Sequence, residues 1–169
     1  FERITEEEHA ELRDILEAAI ADSPDHSECL AMLASIYFDE YAQGYNSRPN
    51  PLERAYATAQ RAVEAAPTNN IGHYVLALVL FFKKDFLAFR LTAERAIALN
   101  RMDASTTAYL GILLAYSGEW DRGLTIVRRA IELNPHHPGW YYFPIAYSHY
   151  RQRDYRGALE NALKINMPG

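Results

Sequence analysis

The sequence predicts an all-α fold, in which antiparallel helix pairs stack side by side into a solenoid. The first observation is a repeat: the segment 93–101 recurs as 127–135, with an offset of 34 residues. The second is that small residues return at the same period, as Ala62, Ala96 and Ala130 do. A period of this length is typical of helical repeats, and small side chains let two helices pack closely. No segment shows the alternating apolar pattern of a strand.

The period places the whole chain in one repeat array. Ala19 and Pro24 precede Ala62 and Pro67 by 43 residues, which is one period plus an insertion of nine residues. The insertion is expected near residues 41–50, either as a tolerated surface loop or as an added contact surface. The predicted units are a half repeat (1–24), a repeat with the insertion (25–67) and whole repeats at 68–101, 102–135 and 136–169.

Capping residues and proline set the expected helix boundaries. Thr5 and Glu8 match a capping box, and Asn50 is an N-cap before a proline at the first helical position. Pro144 lies inside a predicted helix. Because proline removes a backbone hydrogen bond and clashes with the preceding turn, that helix should kink or begin near Phe143. The predicted helices cover about 5–22, 25–43, 51–66, 69–83, 86–100, 103–117, 120–134, 138–152 and 155–164.

The repeat resembles the tetratricopeptide repeat (TPR) family. In that family a Leu and a small residue mark helix A, a small residue opens helix B, an Ala lies late in it, and a Pro closes the unit. The copy at 102–135 matches best, with Leu110, Gly111, Gly118, Trp120, Gly123, Ala130 and Pro135. The resemblance covers essentially the whole chain. It implies a right-handed superhelix in which the A helices line the concave face.

The same resemblance implies that a partner binds along the concave face. The candidate groove residues are Tyr74, Leu78, Phe82, Tyr109, Ile112, Tyr116, Tyr142 and His149. The side chains that we most expect to be exposed to solvent are those of Tyr74, Leu78, Tyr109, Ile112, Tyr142 and His149. Aromatic side chains with a polar tip are favoured where proteins bind proteins. We therefore expect a protein–protein interaction module that binds a polypeptide segment, as a scaffolding or regulatory part of a larger protein. Alternatively, part of this apolar stripe packs one helix against the next.

Composition and charge exclude several classes of function. The formal net charge is −5 and no basic face is evident, so nucleic acid is not an expected partner. Cys29 is the single cysteine, which excludes an internal disulfide and a cysteine metal cluster. No apolar run approaches the ~20 residues that span a membrane. We expect a cytoplasmic protein. We also expect its native N-terminus to lie upstream, because the chain begins at Phe1 and not at Met.

Catalytic, cofactor and metal sites are not expected. The sequence has no glycine-rich phosphate loop, no nucleophile motif and no His-Glu-x-x-His pattern. The adjacent His136 and His137 lie in a turn between two prolines and lack an evident third ligand. Some TPR proteins hold a C-terminal carboxylate with Lys, Asn and Arg in the groove. No groove Lys or Arg falls at those positions here, so this type of clamp is not expected either.

Two alternatives to a peptide-binding module stay open. One is a structural module that forms a homodimer through the array ends or docks on its own parent chain. The other is the regulatory arm of a signalling enzyme or transcription regulator. Residues 133–147 resemble TPR regions that follow bacterial signalling modules such as class III adenylate cyclases. The groove hypothesis predicts that a charge at Leu78 or Ile112 abolishes partner capture without unfolding the protein.

Overall fold

Helices account for almost all regular structure in the computed structural model, which describes residues 5–45 and 48–165. This confirms the all-α prediction, and the described residues contain no strand. The helices are α1 (Glu6–Asp22), α2 (Ser27–Gln43), α3 (Pro51–Ala65), α4 (Asn70–Phe82), α5 (Phe86–Leu99), α6 (Ala104–Tyr116), α7 (Trp120–Leu133), α8 (Phe143–Arg151) and α9 (Tyr155–Ala162), with a 3₁₀-helix at Gly139–Tyr142. The predicted boundaries agree to within about two residues, except before α8.

The helices group into two compact units, residues 1–99 and 100–169. In the first unit, α2 packs mainly on α3, and α4 on α5; in the second, α6 packs on α7, and α8 on α9. These pairs are the helix A and helix B of successive repeats. The boundaries proposed for the individual repeats remain a prediction.

A capping box and a polar bridge organise the first unit. At the start of α1, Glu8 N–H donates to Thr5 Oγ1 at 3.2 Å and Thr5 N–H donates to Glu8 Oε2 at 2.8 Å, as predicted. The Ser27 hydroxyl donates to the Ala62 carbonyl at 2.8 Å and accepts from Asn69 Nδ2 at 2.7 Å. The bridge therefore joins the starts of α2 and α4 to the end of α3, where an apolar core cannot satisfy the backbone.

A buried carboxylate anchors the insertion to the first unit. Glu40 on α2 is 1% exposed and accepts hydrogen bonds from Arg13 Nη1 at 2.9 Å, from Arg54 Nη2 and from the Arg48 backbone N–H at 3.3 Å. Burial opposes ionisation of this carboxyl, but the three hydrogen bonds outweigh burial and hold the pKa of Glu40 below its usual range. Through these hydrogen bonds, Glu40 links α2 to α1, to α3 and to the insertion.

The rest of the insertion also contacts the fold. Helix α2 extends to Gln43 and stops at Gly44, whose φ of +76° lies in the left-handed region that favours glycine. The Arg48 guanidinium reaches Glu17 at 3.1 Å and Asp14 at 3.2 Å on α1. Residues 46 and 47 of the predicted insertion lie outside the described residues. At Arg48 the insertion is thus joined to α1 by ion pairs at the protein surface.

Two facing glycines set the distance between α6 and α7 in the second unit. A Cβ atom on Gly123 would overlap the Gly111 carbonyl oxygen and would lie 2.6 Å from the Ala115 backbone nitrogen. The two backbones therefore touch without intervening side chains, as the small residues of the repeat predicted. Beside this contact, Ile112, Leu124, Val127 and Ile145 form an apolar cluster.

Helix α8 begins at Phe143, as Pro144 predicted. The preceding residues, Gly139–Tyr142, form the 3₁₀-helix instead of a first α-helical turn. Pro144 is tolerated because it lies in the first turn of α8, where its missing N–H would have no helical partner. Helix α9 then packs on α8, but none of its eight residues is buried.

Candidate functional site

Two of the predicted groove residues are buried. Leu78 is 6% exposed and Ile112 is 8% exposed, so the expectation that both are exposed is wrong. Ile112 packs in the cluster with Leu124, Val127 and Ile145. The physical reason is that an apolar stripe on a helix is buried wherever another helix lies alongside it. A charge at either position would break the core, so it does not test binding.

The other predicted groove residues lie nearer the surface. Tyr116 is 38% exposed, and Tyr74, Phe82, Tyr109, Tyr142 and His149 are half-buried. In the second unit, the Tyr109 ring lies edge-on to Trp140 at 6.3 Å, and Lys164 lies over the Tyr142 ring at 4.8 Å. These side chains have neighbours within the protein but keep some contact with solvent. Their joint role in one groove remains a prediction.

An open pocket with aromatic walls lies in the second unit. Tyr116 ends α6, Trp120 begins α7, and Phe143 and Tyr147 lie in the first two turns of α8. The pocket volume is about 480 Å³. The Tyr116 and Tyr147 rings stand perpendicular at 6.3 Å, and Trp120 lies 5.7 Å from Tyr116 and 5.8 Å from Tyr147. These four side chains form what we call the aromatic pocket.

Local backbone geometry places the walls of the aromatic pocket. Gly118 has a φ of +104°, and the Glu119 N–H donates to the Leu114 carbonyl at 3.0 Å, so α7 begins directly after α6. This tight turn sets Trp120 beside Tyr116. Burial, with a smaller contribution from Tyr147, raises the pKa of Tyr116, so its hydroxyl stays protonated at neutral pH. The wall thus offers an apolar ring and a neutral polar tip.

The aromatic surface continues along α8 to the start of α9. The Tyr147 and Tyr150 rings stack at 6.4 Å with an interplanar angle of 14°, and Tyr150 meets Tyr155 edge-on at 5.9 Å. Tyr150 and Tyr155 are 59% and 62% exposed. We call the four pocket residues together with Tyr150 and Tyr155 the aromatic strip.

A cation lies against the aromatic pocket. The Arg151 guanidinium carbon is 4.0 Å from the centre of the Trp120 ring. A guanidinium stacked on an indole is held by cation–π attraction, while its N–H groups point outward in the guanidinium plane. Arg151 therefore adds positive charge at the edge of an otherwise neutral pocket.

Trp120 and Tyr147 were missed as binding residues by sequence reasoning. The repeat pattern identified Trp120 only as a matching motif position, and Tyr147 was not among the predicted groove residues. The predicted helix began at about residue 138, whereas α8 begins at Phe143 after a 3₁₀-helix. Pro144 is the residue whose position indicates this later start.

The first unit has an aromatic cluster of a different kind. It consists of Phe38, Tyr41, Phe81, Phe82, Phe86 and Phe89, linked by ring contacts of 5.2–6.4 Å. Phe38 and Phe89 are buried, and Phe81 and Phe82 are half-buried. Tyr41 and Phe86 are 44% and 36% exposed, so the other four rings act as core and these two lie at its edge.

His149 serves a local structural role beside a second, smaller cavity. Its Nδ1 lies 2.8 Å from Asp154 Oδ2, and the Gly157 N–H donates to Asp154 Oδ1 at 2.9 Å. The Gly157 hydrogen bond and then the His149 contact lower the pKa of Asp154. Asp154 thereby caps α9, and His149 fixes the turn between α8 and α9. The cavity of about 230 Å³ beside it is lined by residues of α7 and α8.

In the described ranges 5–45 and 48–165, no three metal-binding side chains converge, and the His137 ring stacks on Tyr141 at 5.2 Å. None of the helices described there combines the length and apolar character needed to cross a membrane.

Comparison with known proteins gives structural similarity only. No protein-family model matches the sequence, and no curated protein matches it. MamA from Desulfovibrio magneticus RS-1 aligns with a TM-score of 0.73 at 18% identity, over 93% of this chain and 83% of that chain. YrrB, described as a TPR protein with an unusual peptide-binding site, aligns with a TM-score of 0.68 at 18% identity, over 94% and 76% of the two chains. A thermophilic TPR protein of Thermus thermophilus gives 0.70 at 18% identity, over 93% and 81%.

Proposed function

We propose that this chain, which has the TPR solenoid fold, is a protein–protein interaction module that binds a polypeptide segment at the aromatic pocket. The fold prediction is confirmed by the structural similarity. The aromatic pocket is the observation that carries the functional proposal. Three rings at different angles around an open volume present apolar surface that the protein itself does not cover. Clustered Tyr and Trp side chains of this kind are the usual anchors of protein recognition.

Other features support binding as the role of this surface. YrrB, a structural neighbour, is described as having a peptide-binding site, which makes peptide binding a reasonable use of this fold. In the aromatic strip, the rings have few rotatable bonds, so little conformational entropy is lost when a partner orders them. The proposal assigns binding rather than catalysis to this chain, in the cytoplasm, as a scaffolding or regulatory part of a larger protein. A role beside a cyclase or transcription regulator remains a prediction.

An affinity capture with matched variants tests the proposal. The immobilised chain and a Tyr116→Ala/Tyr147→Ala variant are exposed to lysate from the native source. The control is Leu87→Ala/Leu91→Ala, which removes two side chains of α5 that are 72% and 64% exposed. Wild type and control should retain a defined protein that the pocket variant loses. All three proteins should show the same helical circular dichroism and stay folded at the capture temperature, with a slightly lower melting temperature for the pocket variant.

Two results would count against the proposal. If the pocket variant retains the same protein as wild type, the partner binds elsewhere. If wild type retains nothing that an unrelated helical control does not, the chain has no stable protein partner in that lysate and the proposed function fails.

Self-association through α9 is a second candidate function. Tyr155, Leu159 and Leu163 are 62%, 61% and 77% exposed and lie at helical spacing on or next to α9. Such an exposed apolar face invites a second copy or another domain of the parent chain. Light scattering should then show a mass that rises with concentration, and Leu159→Glu should abolish the rise. A monomer at every concentration would exclude the homodimer.

A further inference from the structure

We infer that the segment bound at the aromatic pocket is acidic: it carries an apolar or proline anchor and, within about three residues of it, an Asp or Glu whose carboxylate binds Arg151. This inference rests on the proposed function and specifies the partner. The anchor would fill the aromatic pocket. The carboxylate would meet the guanidinium that lies on Trp120.

Arg151 is held in place but is not paired with an acid. Its guanidinium lies 4.0 Å from the Trp120 ring centre, and no residue in the described ranges forms a hydrogen bond or ion pair with it. By contrast, Arg13, Arg48 and Arg54 of the first unit all reach carboxylates. A stacked guanidinium can still bind a carboxylate through two N–H groups, with a geometry that is fixed in advance. Arg151 is therefore positioned for an acid supplied by a partner.

The acids near Arg151 in the sequence are already in use. Asp154 accepts from the Gly157 N–H at 2.9 Å and contacts His149 at 2.8 Å, and Glu160 accepts from Arg156 at 3.0 Å. Among the residues that the structure describes, no carboxylate lines the aromatic pocket. The Arg151 cation at the edge of this pocket disfavours a Lys or Arg side chain as the anchor, because like charges repel and no pocket carboxylate offsets the repulsion.

The charge of the second unit points the same way. Residues 100–169 contain eight Lys and Arg and six Asp and Glu, whereas residues 1–99 contain nine and sixteen. The second unit is therefore net positive in a chain whose formal net charge is −5. An acidic partner would be drawn toward the second unit and repelled by the first, which favours encounter at the correct surface.

The distances limit where the acid can lie relative to the anchor. Trp120 is both a wall of the pocket and the ring under Arg151, so the two subsites share one side chain. An extended peptide advances ~3.3 Å per residue, so an anchor and an acid that lie beside the same indole are one to three residues apart.

Selection from a random peptide library tests the inference without a known ligand. Twelve-residue peptides are displayed as N-terminal fusions, which present no free C-terminal carboxylate, and are selected on the full chain. Selected sequences should share a Pro, Leu or aromatic anchor with Asp or Glu enriched within three residues. Selection on Arg151→Gln should keep the anchor and reduce the acid enrichment about fivefold, the size expected for one exposed charged pair. Arg151→Lys should restore part of the enrichment of Asp and Glu.

The outcomes separate this inference from the proposed function. If wild type enriches anchors with neutral or basic neighbours, or if Arg151→Gln selects the same acids, the partner is not acidic at this point and the inference is wrong. If nothing is enriched above the Tyr116→Ala/Tyr147→Ala variant, peptide binding at the pocket itself fails. If the molecular mass rises with concentration in wild type but not in Arg151→Gln, the site instead binds a second copy of this chain.

Discussion

The two units place aromatic residues at the same positions of the repeat but use them differently. Phe82 and Phe86 of the first unit correspond to Tyr116 and Trp120 of the second, each 34 residues further along. The phenylalanines join a cluster in which rings cover one another, whereas the Tyr and Trp line an open pocket. Phe86 is 36% exposed and Tyr116 is 38% exposed, so the units differ mainly in ring contacts: Phe82 packs on three other rings, whereas Tyr116 contacts Trp120 and Tyr147 across an open pocket.

The charged residues divide in the same way. In the first unit, arginines from α1, α3 and the insertion converge on Glu40. In the second, Arg151 rests on Trp120 and pairs with no described acid. One unit uses its aromatic and charged groups to hold itself together, and the other leaves comparable groups available to a partner.

The largest expected effect comes from a charge in the core of the second unit. Ile112→Glu should lower the free energy of unfolding by about 4 kcal/mol, because it buries an unpaired carboxylate. Tyr116→Glu, one turn later on α6, should lower it by only about 1 kcal/mol, since that side chain reaches solvent. Urea denaturation measures both. Similar losses of unfolding free energy in the two variants would show that Tyr116 belongs to the core as Ile112 does.

Loss of the buried acid should have the next largest effect. Glu40→Ala removes the buried carboxylate that Arg13 and Arg54 share and should cost about 3 kcal/mol. Asp14→Ala removes an exposed carboxylate that contacts Arg13 and Arg48, and it should cost less than about 1 kcal/mol, because Glu40 still pairs with Arg13. Equal costs in urea denaturation would mean that the Glu40 network contributes no more than a surface ion pair.

The same network should make stability depend on pH. The folded-state pKa of Glu40 lies below its unfolded value, so its ionised form stabilises the fold above about pH 4.3. That contribution should disappear as the pH falls through the lowered, folded-state pKa. Thermal melting between pH 6 and 3 should therefore show a steeper acid-side loss in wild type than in Glu40→Gln. Parallel curves would show that Glu40 does not have a lowered pKa.

Glycine substitutions should act in opposite directions in the two units. Gly123→Ala forces α6 and α7 apart, because the new Cβ meets backbone atoms, and should cost about 2 kcal/mol. In the first unit, a Cβ on Gly72 would lie 3.4 Å from the Ala62 Cβ, and Gly72→Ala should gain about 0.5 kcal/mol from helix propensity. Melting temperatures that fall for both would show that α4 also lacks room.

The smallest expected difference in stability between paired variants is at the two matching aromatic positions, Phe82 and Tyr116. Phe82→Ala should cost about 2 kcal/mol, because the ring packs on Phe38, Tyr41 and Phe81. Tyr116→Ala, at the matching repeat position, should cost about 1 kcal/mol, because its ring is partly exposed. If Tyr116→Ala proves the costlier in urea denaturation, the second aromatic group is also core, and its value as a binding site falls.

The helices and their pairing were predictable because their signals are local. The 34-residue period can be read directly from the sequence. The capping box of Thr5 and Glu8 and the helix start near Pro144 depend only on neighbouring residues and helix geometry. The burial of Leu78 and Ile112 was not predictable, because an apolar stripe looks the same whether it faces solvent or a helix. The Arg151–Trp120 stack and the Glu40 network join residues distant in sequence, and no spacing rule reveals such contacts.

Helix α9 buries none of its eight residues, which bears on amide hydrogen exchange. A helix with so little buried surface opens at a small free-energy cost, so its amides should exchange well before those of α2 or α6. Because Tyr155 at the start of α9 contacts Tyr150 at the end of α8, a segment bound along the aromatic strip would stabilise the folded state of α9. Slowed exchange in α9 would then report occupancy of the aromatic pocket, whose four walls come from α6, α7 and α8.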